Sequence, residues 1–195
     1  MHKSTPEQFK KNNFFSRGFQ LLYDAILLIS LIGLLPYWML RVWRGQLSKI
    51  AIAQRLGLSL PDLSNESKVL WVHAVSLGET KAVSALVQTL YERDKQLCIV
   101  ISNVTQTGHE EAKRALPFAH HIFLPYDFTP IVHYSLKRLR PNWIMLVETD
   151  YWPNLLRLAR LYDIKRCIVN AKLSEKSFRR LLPLSRWLHH PASSL

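Results

Sequence analysis

The chain has 195 residues, 48% of them apolar. That is enough for one packed domain with an appendage and too short for two full domains. Lys and Arg outnumber Asp and Glu by 26 to 14, a formal charge of +12, which directs attention to an anionic partner: nucleic acid, acidic phospholipid or a phosphorylated substrate. Cys98 and Cys167 sit in apolar runs with no C-x-x-C spacing, so they read as reduced, buried core thiols rather than metal ligands.

In chain order, the first feature is FQLLYDAILLISLIGLLPYWMLRVWRG. Sixteen residues, Ala25 to Leu40, carry no charge, and extension back to Gly18 gives twenty-three interrupted only by Asp24. A spanning helix needs about 20 mostly apolar residues. Tyr37, Trp38 and Trp43, with Arg41 and Arg44, mark one end as aromatic and basic anchors do. The run ends in those anchors rather than in a small-residue cleavage site, which argues against a signal peptide. It is apolar all round rather than striped, which argues against a soluble core helix. The expectation is a membrane anchor over residues 1–50, spanning or half-immersed. Lys3, Lys10, Lys11 and Arg17 before the run balance Arg41, Arg44, Lys49 and Arg55 after it, so charge does not orient it.

After a polar connector, LSLPDLSNESK, short runs rich in Val and Ile recur: VLWVHAV (69–75), LCIVIS (97–102), HIFLP (121–125), WIMLVE (143–148) and CIVNA (167–171). Helical segments alternate with them: Glu79 to Arg93, striped by Val83, Leu86, Val87 and Leu90; Thr107 to Leu116; Pro130 to Leu139; and Pro153 to Tyr162, opened by proline. This alternation predicts an α/β domain over 51–195, a parallel sheet with helices on both faces, its strands apolar throughout because both faces are buried. Ligands of open parallel sheets bind beyond the carboxyl ends of the strands, where strand order reverses. With order 3-2-1-4-5, VSLGE after the first strand and ETDYWPN after the fourth share that crevice, and Glu79 and Glu148 face each other's neighbourhood.

Two readings of Glu79 stay open on spacing alone. Ser76 and Glu79 form an S-x-x-E capping box, and an acid in the first helical turn complements the helix dipole. A carboxylate in a crevice also accepts a proton from a hydroxyl, as a general base does. Gly78 beside it lets a ligand or the turn's backbone approach closely. Glu148 ends an apolar run, where a carboxylate has a partner or a task, and Asp150 is placed to cap the Pro153 helix. His73 ends the first strand, a core histidine or a crevice hydrogen-bonder; His120–His121 and His189–His190 lack metal spacing. SNVTQTGHE is a weak anion-nest pattern without a P-loop Lys-Ser/Thr. Arg157, Arg160, Lys165, Arg166, Lys172, Lys176, Arg179 and Arg180 form a late basic cluster, a solvated face or a patch against anionic lipid.

Taken together, WVHAVSLGET, LPYD, RPNWIMLVETDYWPNLL and VNAKLSEKS, with RLG at 55–57 behind an apolar N-terminus, resemble the bacterial lipid A Kdo (3-deoxy-D-manno-octulosonic acid) transferases from about residue 20 to about residue 182. The resemblance implies a two-domain GT-B glycosyltransferase, of which these residues match the N-terminal, acceptor-side half. It implies transfer of Kdo from CMP-Kdo, with inversion, to a lipid A precursor (lipid IVA) at the cytoplasmic face of the bacterial inner membrane. It implies Glu79 as general base, Glu148 as support for the transition state, and Ser76, Gly78 and Asp150 as substrate-binding residues; Asp150 replaces the family's usual Glu. CMP-Kdo is a substrate, and neither cofactor nor metal is implied. The matching motifs stop short of the donor domain, so the expectation is an acceptor half with little turnover of its own. The alternative is a truncated, non-catalytic lipid-binding module. A nucleic-acid binder is disfavoured by the membrane segment and by the lack of any nucleic-acid module.

Overall fold

The computed structural model describes residues 6–44, 48–148 and 151–171. The chain divides into two units, Met1–Gln46 and Leu47–Leu195. The first is a single helix, α1 (Pro6–Trp43), which carries Pro36 within it. Its segment Gln20–Trp43, 24 residues of mean hydropathy 1.9, is long and apolar enough to cross a membrane, by length and composition, and none of it is buried. Large apolar side chains such as Leu21, Ile29, Met39 and Trp43 are exposed along it.

The second unit runs α2 (Lys49–Arg55), β1 (Val69–His73), α3 (Leu77–Arg93), β2 (Cys98–Asn103), α4 (Gln106–Ala115), β3 (His120–Phe123), α5 (Thr129–Leu139), β4 (Trp143–Val147), α6 (Pro153–Leu161) and β5 (Lys165–Val169). All strands are parallel, in the order β3-β2-β1-β4-β5. This is the predicted order, and each predicted strand and helix is found within a few residues of its expected bounds. The short helix α2 was not anticipated; seven residues with no apolar stripe give periodicity nothing to detect.

Pleating explains the uniformly apolar strands. Val69 and Trp71 of β1, Val100 of β2 and Ile144 and Leu146 of β4 enter one core cluster, beneath α5 and α6. Leu70 and Val72, Ile99 and Ile101, and Met145 and Val147 enter the other, beneath α3 and α4. Alternate side chains point to opposite faces, so a strand covered on both sides has no polar positions to spare. Cys98 and Cys167 pack at the margins of these clusters, half-buried rather than fully buried as expected. Burial, then Glu66, pushes the Cys98 thiol up to about 11, and burial raises that of Cys167, so both stay protonated and weakly nucleophilic near neutrality.

Polar side chains stitch the strand ends. Asn142, in RPNW, accepts the Val69 N–H on its Oδ1 at 2.7 Å, donates its own N–H to the Val69 carbonyl, and accepts the Lys165 N–H on its carbonyl. One residue thereby aligns the starts of β1, β4 and β5. The edge strand β3 is sealed by the last turn of α2: the Phe123 N–H donates to Gln54 Oε1 at 3.0 Å, occupying a donor that would otherwise invite a foreign strand. The RLG triplet belongs to this seal. Arg55 donates to the Val104 carbonyl at 2.6 Å and lies 4.8 Å from the Phe123 ring centroid. Gly57 has φ +78°, where an L side chain is strained, and a Cβ there would meet Ser135 Oγ at 3.3 Å.

Leu146 is fully buried at the centre of one cluster. Leu146→Ala is expected to lower unfolding free energy by about 2–5 kcal/mol, from lost transfer energy and the cavity left behind; the midpoint shift in urea unfolding measures it.

Candidate functional site

The β1–α3 turn begins where Ala74 leaves the sheet. Ala74 still donates its N–H to the Ser102 carbonyl, and the Ala74 carbonyl accepts from Asn103 Nδ2 at 2.7 Å. Asn103 is wholly buried, and its amide also donates to Thr80 Oγ1 at 2.9 Å, while the Thr80 hydroxyl donates to the Ser76 carbonyl. This pins the turn between β2 and the first turn of α3. Neither Asn103 nor Thr80 stood out in the sequence, because a polar residue at a strand end looks like any loop-bound Asn.

Ser76 is the N-cap of α3, its hydroxyl accepting from the Glu79 N–H. Glu79 reciprocates with a variation on the capping box. Its Oε1 accepts the Ser76 hydroxyl proton at 2.8 Å, and its Oε2 accepts the N–H of Val75, one residue before the cap, at 2.7 Å. Each carboxylate oxygen has a second acceptor site, so each keeps one lone pair for a further donor. Glu79 remains partly exposed, and Leu77 and Gly78 ahead of it are exposed. Gly78 lies in the first helical turn, and a Cβ there would meet nothing nearer than Ser76 Oγ at 4.0 Å. The turn's own backbone therefore does not require glycine at 78; only approach from outside makes its small size useful.

Gly108 is the glycine the packing demands. A Cβ there would stand 2.9 Å from Thr105 Oγ1 and 3.0 Å from the Ser76 carbonyl carbon. The N-terminus of α4 thus presses directly on the Ser76 turn. Thr105 spends its hydroxyl on capping α4, accepting from the Gly108 N–H at 3.1 Å, which gives the SNVTQTGHE stretch a structural explanation. His109 beneath it is buried and stacked on Phe123, with ring centroids 4.2 Å apart.

Glu148 follows β4, the strand next to β1. Its backbone is left-handed, φ 64°, and its N–H donates to the Val169 carbonyl at 2.9 Å; Asn170, the residue after β5, is left-handed as well at φ 54°. For a glutamate this conformation is uncommon and costs roughly 1–3 kcal/mol, which surrounding structure must offset. Both candidate carboxylates therefore leave the carboxyl ends of adjacent parallel strands, at the switch in strand order. Asp150, expected to bind substrate and to cap the last helix, lies outside the described residues, as do His189, His190, Lys172, Lys176, Arg179 and Arg180.

Among the described residues, the cap of α6 comes from Asp127. Trp152 at the N-cap makes no side-chain capping bond. Asp127 of LPYD, buried, accepts the Asn154 N–H on Oδ2 at 3.0 Å and the Leu155 N–H on Oδ1 at 2.8 Å, and its carbonyl accepts from Asn154 Nδ2 at 2.6 Å. Sequence spacing gives no sign of a cap supplied from 27 residues away.

His73 is a core residue. It is 1% exposed, its Nδ1 lies 2.9 Å from Ser102 Oγ and 3.1 Å from the Ser102 carbonyl, and its ring stands edge-on to Trp152. Burial drives its pKa down to about 4 despite the Ser102 bond. His109 falls to about 4 as well, through burial and then Lys113 and His121.

A doubly wound parallel sheet with carboxylates on both sides of its switch point is the frame of a Rossmann-like substrate-binding domain. Residues 51–195 match the family model for 3-deoxy-D-manno-octulosonic-acid transferase (kdotransferase), and the chain belongs to that family. It is 36% identical over 166 residues to the 3-deoxy-D-manno-octulosonic acid transferase of Bordetella pertussis, covering 78% of this chain and 38% of that protein. It is 28% identical over 169 residues to the enzyme of the same name from Chlamydophila psittaci, covering 85% and 39%. A probable mitochondrial 3-deoxy-D-manno-octulosonic acid transferase of Arabidopsis thaliana is 35% identical over 122 residues, covering 60% and 27%. The chain spans about two fifths of the length of the first two relatives.

Two predictions follow from this geometry. Glu79→Gln replaces one acceptor oxygen by an N–H₂ group that cannot receive a proton, so α3 loses one charge-assisted cap bond. Stability is expected to fall by about 1–2 kcal/mol in urea unfolding, with the fold retained. The second concerns pH. Since His73 falls from 6.5 to about 4 on folding, the unfolded chain binds more protons between these values. Stability due to His73 is complete above pH 6.5 and declines as pH falls toward 4, by about 3 kcal/mol in all. Urea midpoints measured from pH 7.5 to pH 4 are expected to fall across this window and stay level above it.

Proposed function

We propose that this chain is the membrane-anchored acceptor side of a Kdo transferase, with residues 1–50 as anchor and 51–195 as the domain that receives the lipid A precursor. The observation that carries this reading is the placement of Glu79 and Glu148 on adjacent strand ends, within a chain whose relatives bear the transferase name.

Chemically the step is a displacement at the anomeric carbon of Kdo. The 6′-hydroxyl of the acceptor loses its proton to a free lone pair of Glu79 as its oxygen attacks. The bond from the anomeric carbon to the CMP phosphate breaks, and CMP departs with the electron pair, with inversion. A phosphate leaving group needs no strong general acid, so one base at the crevice suffices. The bonds from Val75 N–H and Ser76 O–H hold the carboxylate in a fixed orientation for that transfer. On this reading Ser76 steadies the base and binds substrate with Gly78 and Asp150, and Glu148 supports the developing positive charge of the donor. The acceptor's phosphates account for a chain carrying +12, and its acyl chains account for the apolar helix α1. The site belongs at the cytoplasmic face of the bacterial inner membrane, where sugar nucleotide and lipid meet.

The test is a chimera in which residues 1–195 replace the matched segment of the Bordetella pertussis transferase, assayed for Kdo transfer from CMP-Kdo to lipid IVA. Transfer by the parent chimera and a loss of at least about 100-fold in kcat for Glu79→Gln, with lipid capture retained, are expected for a lost general base. Lipid capture by the folded chimera without transfer in either form points to a binding module instead. Undiminished transfer by Glu79→Gln removes Glu79 from the base role.

A further inference from the structure

The geometry points to Asp127 as the positioning residue for the Glu148 arm: its buried carboxylate anchors the N-terminus of α6, a short run of chain beyond Glu148. This inference rests on the transferase reading above and adds a residue that reading does not use.

Four residues, 149–152, separate Glu148 from Pro153, the first residue of α6. The near end of that segment is held by the Glu148 N–H bond to the Val169 carbonyl, at the cost of a left-handed glutamate. A conformation of that kind persists only where the surrounding structure over-determines it. At the far flank the N-cap residue Trp152 makes no side-chain capping bond. Asp127 supplies the cap. It takes two backbone donors, Asn154 N–H and Leu155 N–H, one on each carboxylate oxygen, and returns its carbonyl to Asn154 Nδ2. Asp127 and Asn154 are 4% and 1% exposed, so water does not compete for these bonds.

The clamp is braced from both sides. Arg157 Nη2 donates to Thr129 Oγ1 at 3.1 Å and to Asn154 Oδ1 at 3.5 Å, tying α6 to the start of α5. The Trp152 ring meets the His73 imidazole edge-on at 5.5 Å between centroids, which sets the arm against the end of β1. A negative charge at the α6 N-terminus also complements that helix's dipole. The LPYD and WPN motifs, 27 residues apart, are thus two halves of one contact, and their shared output is the position of the chain leaving Glu148.

Asp127→Asn keeps the shape but leaves one oxygen to receive two N–H donors. In the 195-residue chain, hydrogen exchange at Asn154 and Leu155 is expected to quicken by at least about tenfold, with β1 and α3 amides unchanged. Asn154→Ala is expected to do the same, and the double variant to add nothing further, because both remove one unit. In the chimera, Asp127→Asn is expected to lower kcat by about 10- to 100-fold with KM for lipid and for CMP-Kdo within about twofold, the mark of misplaced transition-state support rather than lost binding. Asp94→Asn, which removes an exposed carboxylate paired with Lys68, leaves kcat at the parent value. Unchanged protection at Asn154 and Leu155, exchange that quickens throughout the domain, or full kcat with a frayed α6 overturns the proposal. Should Glu79→Gln retain transfer while Asp127→Asn loses kcat selectively, the base assignment fails and the clamp stands. Should the parent chimera not turn over, the exchange and double-variant data decide the clamp alone.

Discussion

Everything at the site depends on β1 having a parallel neighbour on each side. Its edges are paired to β2 and β4, and its faces are covered by α3 and α4 on one side and α5 and α6 on the other. A strand so enclosed is open only at its ends, and at its carboxyl end the chain turns into a helix whose first N–H groups lack partners. The turn from Ala74 to Thr80 meets that need with Ser76 and Glu79. The same need at α6 is met from a distance by Asp127. Electrostatics at the crevice thus begins as capping, and the proposed chemistry borrows a carboxylate that the fold already requires.

Capping and catalysis are compatible because a carboxylate has more acceptor capacity than the cap consumes. Val75 and Ser76 occupy one site on each Glu79 oxygen and leave another on each. The bonds also fix the group's orientation, which a freely rotating surface glutamate would lack. At Glu148 the structure fixes the backbone instead, in a left-handed conformation at a strand terminus. The two residues thus stand beyond the carboxyl ends of neighbouring strands, the Glu79 side chain tied by hydrogen bonds and the Glu148 backbone by its bond to Val169.

The sheet was legible in the sequence because burial on both faces forces long apolar strands, and the roughly 25-residue alternation with helices leaves few topologies. Glu79 was legible because S-x-x-E is a local pattern. What escaped notice was non-local. Asn103 reaches Ala74 and Thr80, Asn142 ties three strands together, and Asp127 caps a helix 27 residues ahead. Periodicity and spacing report on neighbours in sequence, whereas these polar contacts exist only once the sheet is assembled. Of the two uses open to Gly78, approach by the turn's own backbone or by a ligand, the structure does not need the first. The glycine that close backbone packing requires is Gly108, whose neighbour across the packing is the Ser76 backbone.

The central claim is that the acceptor sugar sits at the carboxyl ends of β1 and β4. The direct measurement is titration of the ¹⁵N-labelled chain with the deacylated, phosphorylated diglucosamine headgroup, followed by amide chemical shifts. The account predicts saturable shifts concentrated at Val75, Ser76, Glu79 and Glu148, with Asn142 and Lys165 at the opposite end of the sheet unmoved. Shifts confined to that opposite end, or saturable binding that leaves the β1–α3 turn untouched, would contradict it.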